Sequence, residues 1–284
     1  MAVRRGRHKS AGRGKLGCMY RYAGPIAAVL LAALAVTGCK TSVSVVGSGT
    51  PSAPASPISA ASVAASIAAA ATASALPSFS IPGTHESVQS FQVTAPVSTL
   101  DVTSHLGDIT ITGSSSNTVS VTEQMAYSST LPVTSHAVAG GTLTVGYTCP
   151  AQAVCGVAYI ITVPRGVTVT ATTATGAIRL SGLTGPSLTA KVDAGFIDAT
   201  SLSVADASFT VDVGGVTATF TAAPQTLSAT TKAGGIALHV PTTTDYQVSA
   251  TTVAGKSTIT VPESTTSAHT ITASTDVGAI QIAP

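Results

Sequence analysis

Residues 228–240 read SATTKAGGIALHV. Ala229, Thr231 and Ala233 alternate with Ser228, Thr230 and Lys232, two glycines interrupt, and alternation resumes with Ile236 and Leu238. Period-two alternation marks a strand with one buried face. Glycine accepts positive φ and lets a neighbouring backbone come close, so it marks a corner. The stretch therefore predicts two strands joined at a sharp corner.

The same pattern recurs along the chain. Glycines followed two places on by an apolar residue stand at Gly176, Gly195, Gly214, Gly234 and Gly278. Gly255 keeps the frame more loosely, with Ile259 as its follower, and Gly107 is an isolated earlier copy before Ile109 and Ile111. From Gly176 onward the intervals are 19, 19, 20, 21 and 23 residues. Counting back from each glycine, positions −7, −5, −3 and −1 are small or apolar, as in Leu188-Ala190-Val192-Ala194 and Ala207-Phe209-Val211-Val213. A period near 20 residues with short strands in each repeat predicts an all-β domain of β-solenoid type, β-helix-like, with small Ala and Thr filling a narrow core. A β-sandwich with accidental spacing is the competing fold, since its strands also recur every 8–12 residues.

Charge divides the chain in two. Of thirteen Lys and Arg residues, seven lie before residue 25, and an uncharged run, PIAAVLLAALAVT, follows. A basic segment, a short apolar run and a small-residue cleavage site form a secretory signal, and the run is shorter than the ~20 residues a spanning helix needs. Val36-Thr37-Gly38-Cys39 closes that run. It resembles the lipobox of bacterial lipoproteins, which implies cleavage before Cys39 and a lipid on it. Residues 1–38 are then the lipoprotein signal peptide (with Met19 a candidate start), and a membrane reached through the lipid anchor is an expected partner. Removing them leaves six basic residues against eleven acids, a side-chain charge of 6 − 11 = −5. An acidic chain without a basic patch does not hold nucleic acid by neutralising phosphates.

Residues 39–86 are rich in Ala, Ser, Pro and Gly, a composition that builds no core and predicts a low-complexity tether. Extended, it would reach on the order of 100–150 Å. The domain proper is expected over residues 87–284. Of the four cysteines, Cys18 leaves with the signal and Cys39 carries lipid, so Cys149 and Cys155 remain. In an oxidising compartment they read as a disulfide clamping a hairpin loop.

These residues together carry a family likeness. The pair Cys149 and Cys155, the run YIITVPRG, the run TGAIRLSGLTG at 175–185 and the glycine corners, in that order, resemble the bacterial putative-adhesin domains of unknown function, the toastrack-like β-solenoid group. The resemblance covers roughly Phe91 to the C-terminus and implies a cell-surface β-solenoid. One departure is plain: members often write Ser-Gly-Asp at the corner, and here only Gly107-Asp108 keeps the acid.

No catalytic constellation is legible. There is no G-x-S-x-G, H-E-x-x-H or phosphate loop, no histidine pair has metal-binding spacing, and no metal or cofactor is expected. Asp193 and Asp212 fall two residues before their glycines and are expected as outward neighbours on adjacent coils, with Lys232 next in the column. Asp276 holds the same frame position. A solvated charge column accounts for all four; a calcium site or a catalytic pair is the sharper alternative. Ser and Thr at −6 and −4 form outward hydroxyl ladders, short of the regular methyl array of ice-binding faces because of the serines and Lys191. Arg179 and Asp198 should share one column on adjacent coils, within reach of an ion pair. The function expected is a non-enzymatic cell-surface lipoprotein, lipid-anchored on the extracytoplasmic face. It would present an adhesin-like solenoid to an unknown surface protein or polysaccharide. The alternatives are an extracytoplasmic sensing or envelope-stress module working with a membrane partner, and a polysaccharide-active enzyme.

Overall fold

A computed structural model describes residues 79–284, all of them strand, turn or loop. The expected signal peptide, Cys39 and most of the expected tether lie outside the described residues. Fifteen strands follow one another. The first seven are β1 (His85–Val93), β2 (Thr99–Leu106), β3 (Ile109–Ser114), β4 (Val119–Tyr127), β5 (Val133–Ala139), β6 (Thr142–Thr148) and β7 (Cys155–Pro164). Two long strands, β8 (Thr168–Ser181) and β9 (Thr184–Phe220), run straight through their corners. The rest are β10 (Thr226–Ala233), β11 (Ile236–His239), β12 (Gln247–Ala254), β13 (Ser257–Ile259), β14 (Thr270–Val277) and β15 (Ile280–Ala283). Strand β1 thus starts two residues before the expected domain boundary.

The strands stack into two parallel ladders joined along a line of corners. On the first ladder β6, β2, the leading half of β8, β9, β10, β14 and β12 lie side by side. On the second the order is β7, β3, the trailing half of β8, β9, β11, β15 and β13. A short third side closes the coil through Gly182 N–H to Thr200 O, Ser203 N–H to Leu183 O and Thr221 N–H to Leu202 O. Gly182 and Ser201, one coil apart, both take positive φ there. At the N-terminal end both ladders change direction: β5 pairs antiparallel with β6, and β4 pairs antiparallel with β7 and β1. These antiparallel strands cover the first coil.

The core is a column of small and branched residues. Leu188, Ala190 and Val192 pack beside Ala207, Phe209 and Val211, and beside Leu227 and Ala229, all buried. The column mixes sizes between neighbouring coils, as buried Phe209 shows in register with Ala229.

Two features differ from the sequence pattern. First, the inward column ends at position −3. Val213 and Val277, at −1, are 59% and 58% exposed, and Ala194, Ala233 and Ala254 are exposed as well. The ladder skips a partner at −2, where Lys232 and Asp212 carry no register pairing, so −2 and −1 both lie on the convex outside of the corner. Second, the last two coils are not in chain order. Strand β14 sits between β10 and β12, and β15 between β11 and β13. The intervals of 21 and 23 residues belong to these two coils, whose connecting segments (240–246 and 260–269) step over a neighbour.

The corner glycines stack in that same spatial order. A Cβ placed on Gly176, Gly195, Gly214, Gly234, Gly278 or Gly255 would fall on the carbonyl oxygen of the glycine one coil back, and on Gly107 it would fall on Val157 O. Gly214 has φ of 132°, a conformation L side chains rarely adopt. Gly214→Ala should therefore lower stability by roughly 3 kcal/mol or more, through strain and collision together. Gly146→Ala, where the nearest atom to a new Cβ is Thr103 O at 3.7 Å, is the control and should stay near the parent. Thermal and urea unfolding of the two variants measures the difference.

Candidate functional site

The corner is built from more than glycine. At position −3 a threonine or serine hydroxyl donates to a corner carbonyl. Thr173 bonds Gly107 O at 3.0 Å, Thr275 bonds Gly234 O at 3.1 Å, Thr252 bonds Gly278 O at 3.1 Å, and Ser104 bonds Val157 O at 2.9 Å. Thr231 donates to the Thr275 hydroxyl at 2.8 Å, which in turn donates to Gly234 O. Thr173, Thr231 and Thr275 are all but fully buried. Each hydroxyl satisfies a carbonyl that the corner turns away from the ladder, where an unpaired buried polar group costs about 1–3 kcal/mol. In sequence these threonines read simply as inward residues; their bonding partners emerge only when the coils stack.

Outside the corner runs a charged column. Asp193, Asp212, Lys232 and Asp276 occupy successive coils, and the exchange of the last two coils puts Asp276 beside Lys232. Lys232 Nζ donates to Asp212 Oδ2 at 2.7 Å, and Lys191 Nζ lies 3.5 Å from Asp193 Oδ1. The bond and charge of Asp212, with Asp193 and Asp276 adding to them, push the Lys232 ammonium above its ordinary pKa. A lysine set among acids offsets part of their charge, and among the described residues no group of three or more His, Cys, Asp or Glu side chains is placed to hold a metal ion.

The first ladder presents two outward ranks of hydroxyls. Thr103, Thr172 and Lys191 stand in register, as do Thr210, Thr230, Ser274 and Thr251. The second rank runs through Ser208, Ser228, Thr272 and Ser249. Among the described residues, none of these hydroxyls bonds another protein group.

Arg179 and Asp198 are register partners, in the shared column expected. The ion pair forms elsewhere: Arg179 Nη1 donates to Asp108 Oδ2 at 2.6 Å, and its guanidinium lies 5.0 Å from the centre of the Phe196 ring. Asp108 Oδ1 also accepts the Ala177 N–H at 2.9 Å. The lone corner acid thus ties the first coil to the second by a backbone and a side-chain bond together. Asp108 is held at the corner by that backbone bond, and Asp198 forms no salt bridge with Arg179.

The N-terminal cap holds the remaining ionisable chemistry. Cys149 and Cys155 form a disulfide with Cα atoms 5.8 Å apart. It links the end of β6 on one ladder to the start of β7 on the other, so it staples the two ladders where the cap begins. Nearby, Glu123 on β4 faces the interior beside Tyr159 on β7. Glu123 Oε1 and the Tyr159 hydroxyl are both buried without a hydrogen-bond partner. Burial drives the Glu123 carboxyl above its ordinary pKa, with Thr134 and His136 acting in the opposite sense. Burial likewise raises the Tyr159 phenol, and the Glu123 charge adds to it. The single Glu in an otherwise strand-forming run VSVTEQMAY gave no signal of burial, since charged residues are rarely fully inside.

Parallel ladders, a corner of stacked glycines with buried hydroxyls, and antiparallel caps define a capped parallel β-solenoid. The chain belongs to the Toastrack DUF4097 family, whose model matches residues 66–283. No curated protein matches it. Among solved structures it is similar to a putative cell adhesion protein from Clostridium sporogenes, at 10% identity over 70% of this chain and 99% of that one, with a TM-score of 0.38. A putative adhesin from Bacteroides fragilis is 13% identical over 69% and 96%, with a TM-score of 0.39. One from Parabacteroides merdae is 10% identical over 72% and 98%, with a TM-score of 0.31.

Two outcomes follow for the cap. A group whose folded pKa is raised gives stability that is full below the unfolded carboxylate pKa and is lost as pH rises through the folded value. The parent should therefore lose stability from about pH 4 toward neutrality at this site. Glu123→Gln should flatten that loss and gain about 1 kcal/mol at pH 7, read from melting temperature against pH. Reducing the disulfide, or replacing both cysteines by serine, should cost about 2 kcal/mol for so short a loop, measured by urea unfolding with and without reductant.

Proposed function

We propose that this chain is a non-enzymatic cell-surface lipoprotein that presents its toastrack solenoid for adhesion or envelope contacts. The observation that carries the proposal is the outer face of the first ladder. There, hydroxyls from successive coils stand in fixed register, engaged by no other protein group among the described residues, on a scaffold that the glycine corner makes rigid. Such a face offers donors and acceptors at the strand spacing of about 4.8 Å, suited to a hydroxylated polymer or a polar protein surface. In the charged column Lys232 is paired with Asp212, whereas the hydroxyls of this face have no protein partner among the described residues. Val36-Thr37-Gly38-Cys39 supports the location, because a lipid on Cys39 would hold the domain at the extracytoplasmic side of the membrane.

The test has two arms. In cell fractionation the parent chain should sediment with membranes, while Cys39→Ser should be released or stay unprocessed; membrane retention with normal processing would overturn the anchor. On beads, the parent should capture envelope polysaccharide or protein, and Thr210→Glu with Thr230→Glu should cut capture at least tenfold at unchanged melting temperature. Equal capture would move binding off this face.

A further inference from the structure

The two ends of the solenoid are built differently. At the N-terminal end β5, β4 and β1 run antiparallel to the coils and cover the first of them. At the C-terminal end β12 and β13 are the last strands of their ladders, and both are parallel to the strands they join. Inward residues of this coil, Val248, Ala250, Thr252 and Ile259, are only half-buried. Their register partners Ile271, Ala273, Thr275 and Ile282 are buried completely or nearly so. Among the described residues the core is therefore open at this end.

The edge itself is free of the usual protections. Strand β12, QVSATTVA, has no proline, no charged residue and no glycine along its length, and Val253 is 82% exposed. Soluble proteins ordinarily blunt such an edge with Lys, Pro, a bulge or a covering segment. One short cover exists: Tyr246 N–H donates to Pro262 O and Ser264 N–H to Tyr246 O, so residues 262–264 shield the position just before the strand. Because Gln247 N–H turns to His269 O on the β14 side, the alternate residues Val248, Ala250 and Thr252 aim their backbone groups outward.

We propose that this end is a self-association surface, where β12 pairs antiparallel with β12 of a second copy around a two-fold axis. Three observations select a second copy. Antiparallel pairing across a two-fold matches Val248, Ala250 and Thr252 with the same set, so outward backbone groups meet outward backbone groups and half-buried side chains meet half-buried side chains. Asp245 precedes the edge and Lys256 follows it. Antiparallel copies set the acidic end of each against the lysine end of the other, whereas parallel ones set like against like. Finally, both ladders end on this coil, so a second copy seated on β12 lies over the open core.

The test uses the full chain in membranes. Thr251→Cys places a thiol on the exposed face at the middle of the edge, and a short bismaleimide should join two such chains into a band of twice the monomer mass. Thr172→Cys, on the same face five coils away, is the control and should stay monomeric, as should the parent. Ala250→Pro added to Thr251→Cys removes an outward N–H at an edge, where proline is tolerated. It should reduce the dimer band at least fivefold. Circular dichroism melting of the purified variant checks that it folds. Should the proline unfold the chain, Ala250→Lys replaces it, placing a charge at the open core with the same expected loss. A Thr251→Cys chain that stays monomeric, or that joins a protein of another mass, overturns the proposal.

Discussion

Every coil of this domain depends on a contact that only hydrogen can make. The glycine of one coil lies against the carbonyl oxygen of the glycine below it, with no space for a Cβ between them. That contact sets the stacking distance at the corner, forces the chain to turn at the same place in each coil and keeps the two ladders in step. Because the carbonyl is turned into the corner rather than along the ladder, it needs a donor, and the buried hydroxyls of Thr173 and Thr275 and the half-buried one of Thr252 supply one. Where valine replaces threonine, at Val192 and Val211, a γ-methyl packs near the glycine of its own coil instead. The corner thus alternates between hydroxyl and methyl solutions to one packing problem. The outer faces are relieved of structural duty, and they can vary.

Much of this was legible in the sequence, for a physical reason. A solenoid repeats one environment, so a residue that fits it must recur, and the recurring glycines and inward Leu-Ala-Val columns reveal both period and face. The antiparallel cap strands do not share that environment and therefore carry no frame. Glu123 and Tyr159 meet only because β4 returns against β7, and no local pattern in either strand announces it. The exposed Val213 and Val277 were misplaced because strict alternation was carried one step too far; at a corner the backbone rotates, and two successive side chains fall on the convex side. Arg179 was placed in the right column with the wrong partner. Register follows from spacing, whereas the partner depends on where the corner holds Asp108, fixed by its bond from the Ala177 N–H, which spacing does not reveal.

The candidate face was visible as a pattern of Ser and Thr but not as a surface. Its membership depends on which coils are neighbours, and the chain does not stack its coils in the order it makes them. With β14 inserted, Thr230 lies beside Ser274 rather than Thr251, and Lys232 gains Asp276 as a second acidic neighbour. The charge column then reads acid, acid, base, acid in space. Its lysine is surrounded, which explains why the column acts as a satisfied strip of surface and not as a clustered acidic site.

The exchange of the last two coils has its own energetic logic. In either order each coil would keep its glycine at the corner, and Thr252 or Thr275 could serve the neighbouring carbonyl equally well. The inward residues differ. The coil placed inside offers Ile271, Ala273, Ile280 and Ile282, all buried, while the terminal coil offers Val248, Ala250, Ser257 and Ile259. Chain order would bury Ser257 in the position Ile280 now holds and leave Ile280 at the open end. Full burial of an isoleucine is worth about 2–3 kcal/mol over exposure, and the extra methylene of Ile271 over Val248 adds about 0.8 kcal/mol. Against this, stepping over a coil lengthens two loops, and each doubling of loop length costs only about 0.6 kcal/mol. His269 then fixes the crossing, with Nδ1 2.7 Å from Pro224 O at the start of β10 and its ring edge-on to buried Tyr246. The more apolar coil goes inside and the more polar one closes the stack. For that reason the end of this solenoid is a strand of small, uncharged residues placed where its core meets solvent.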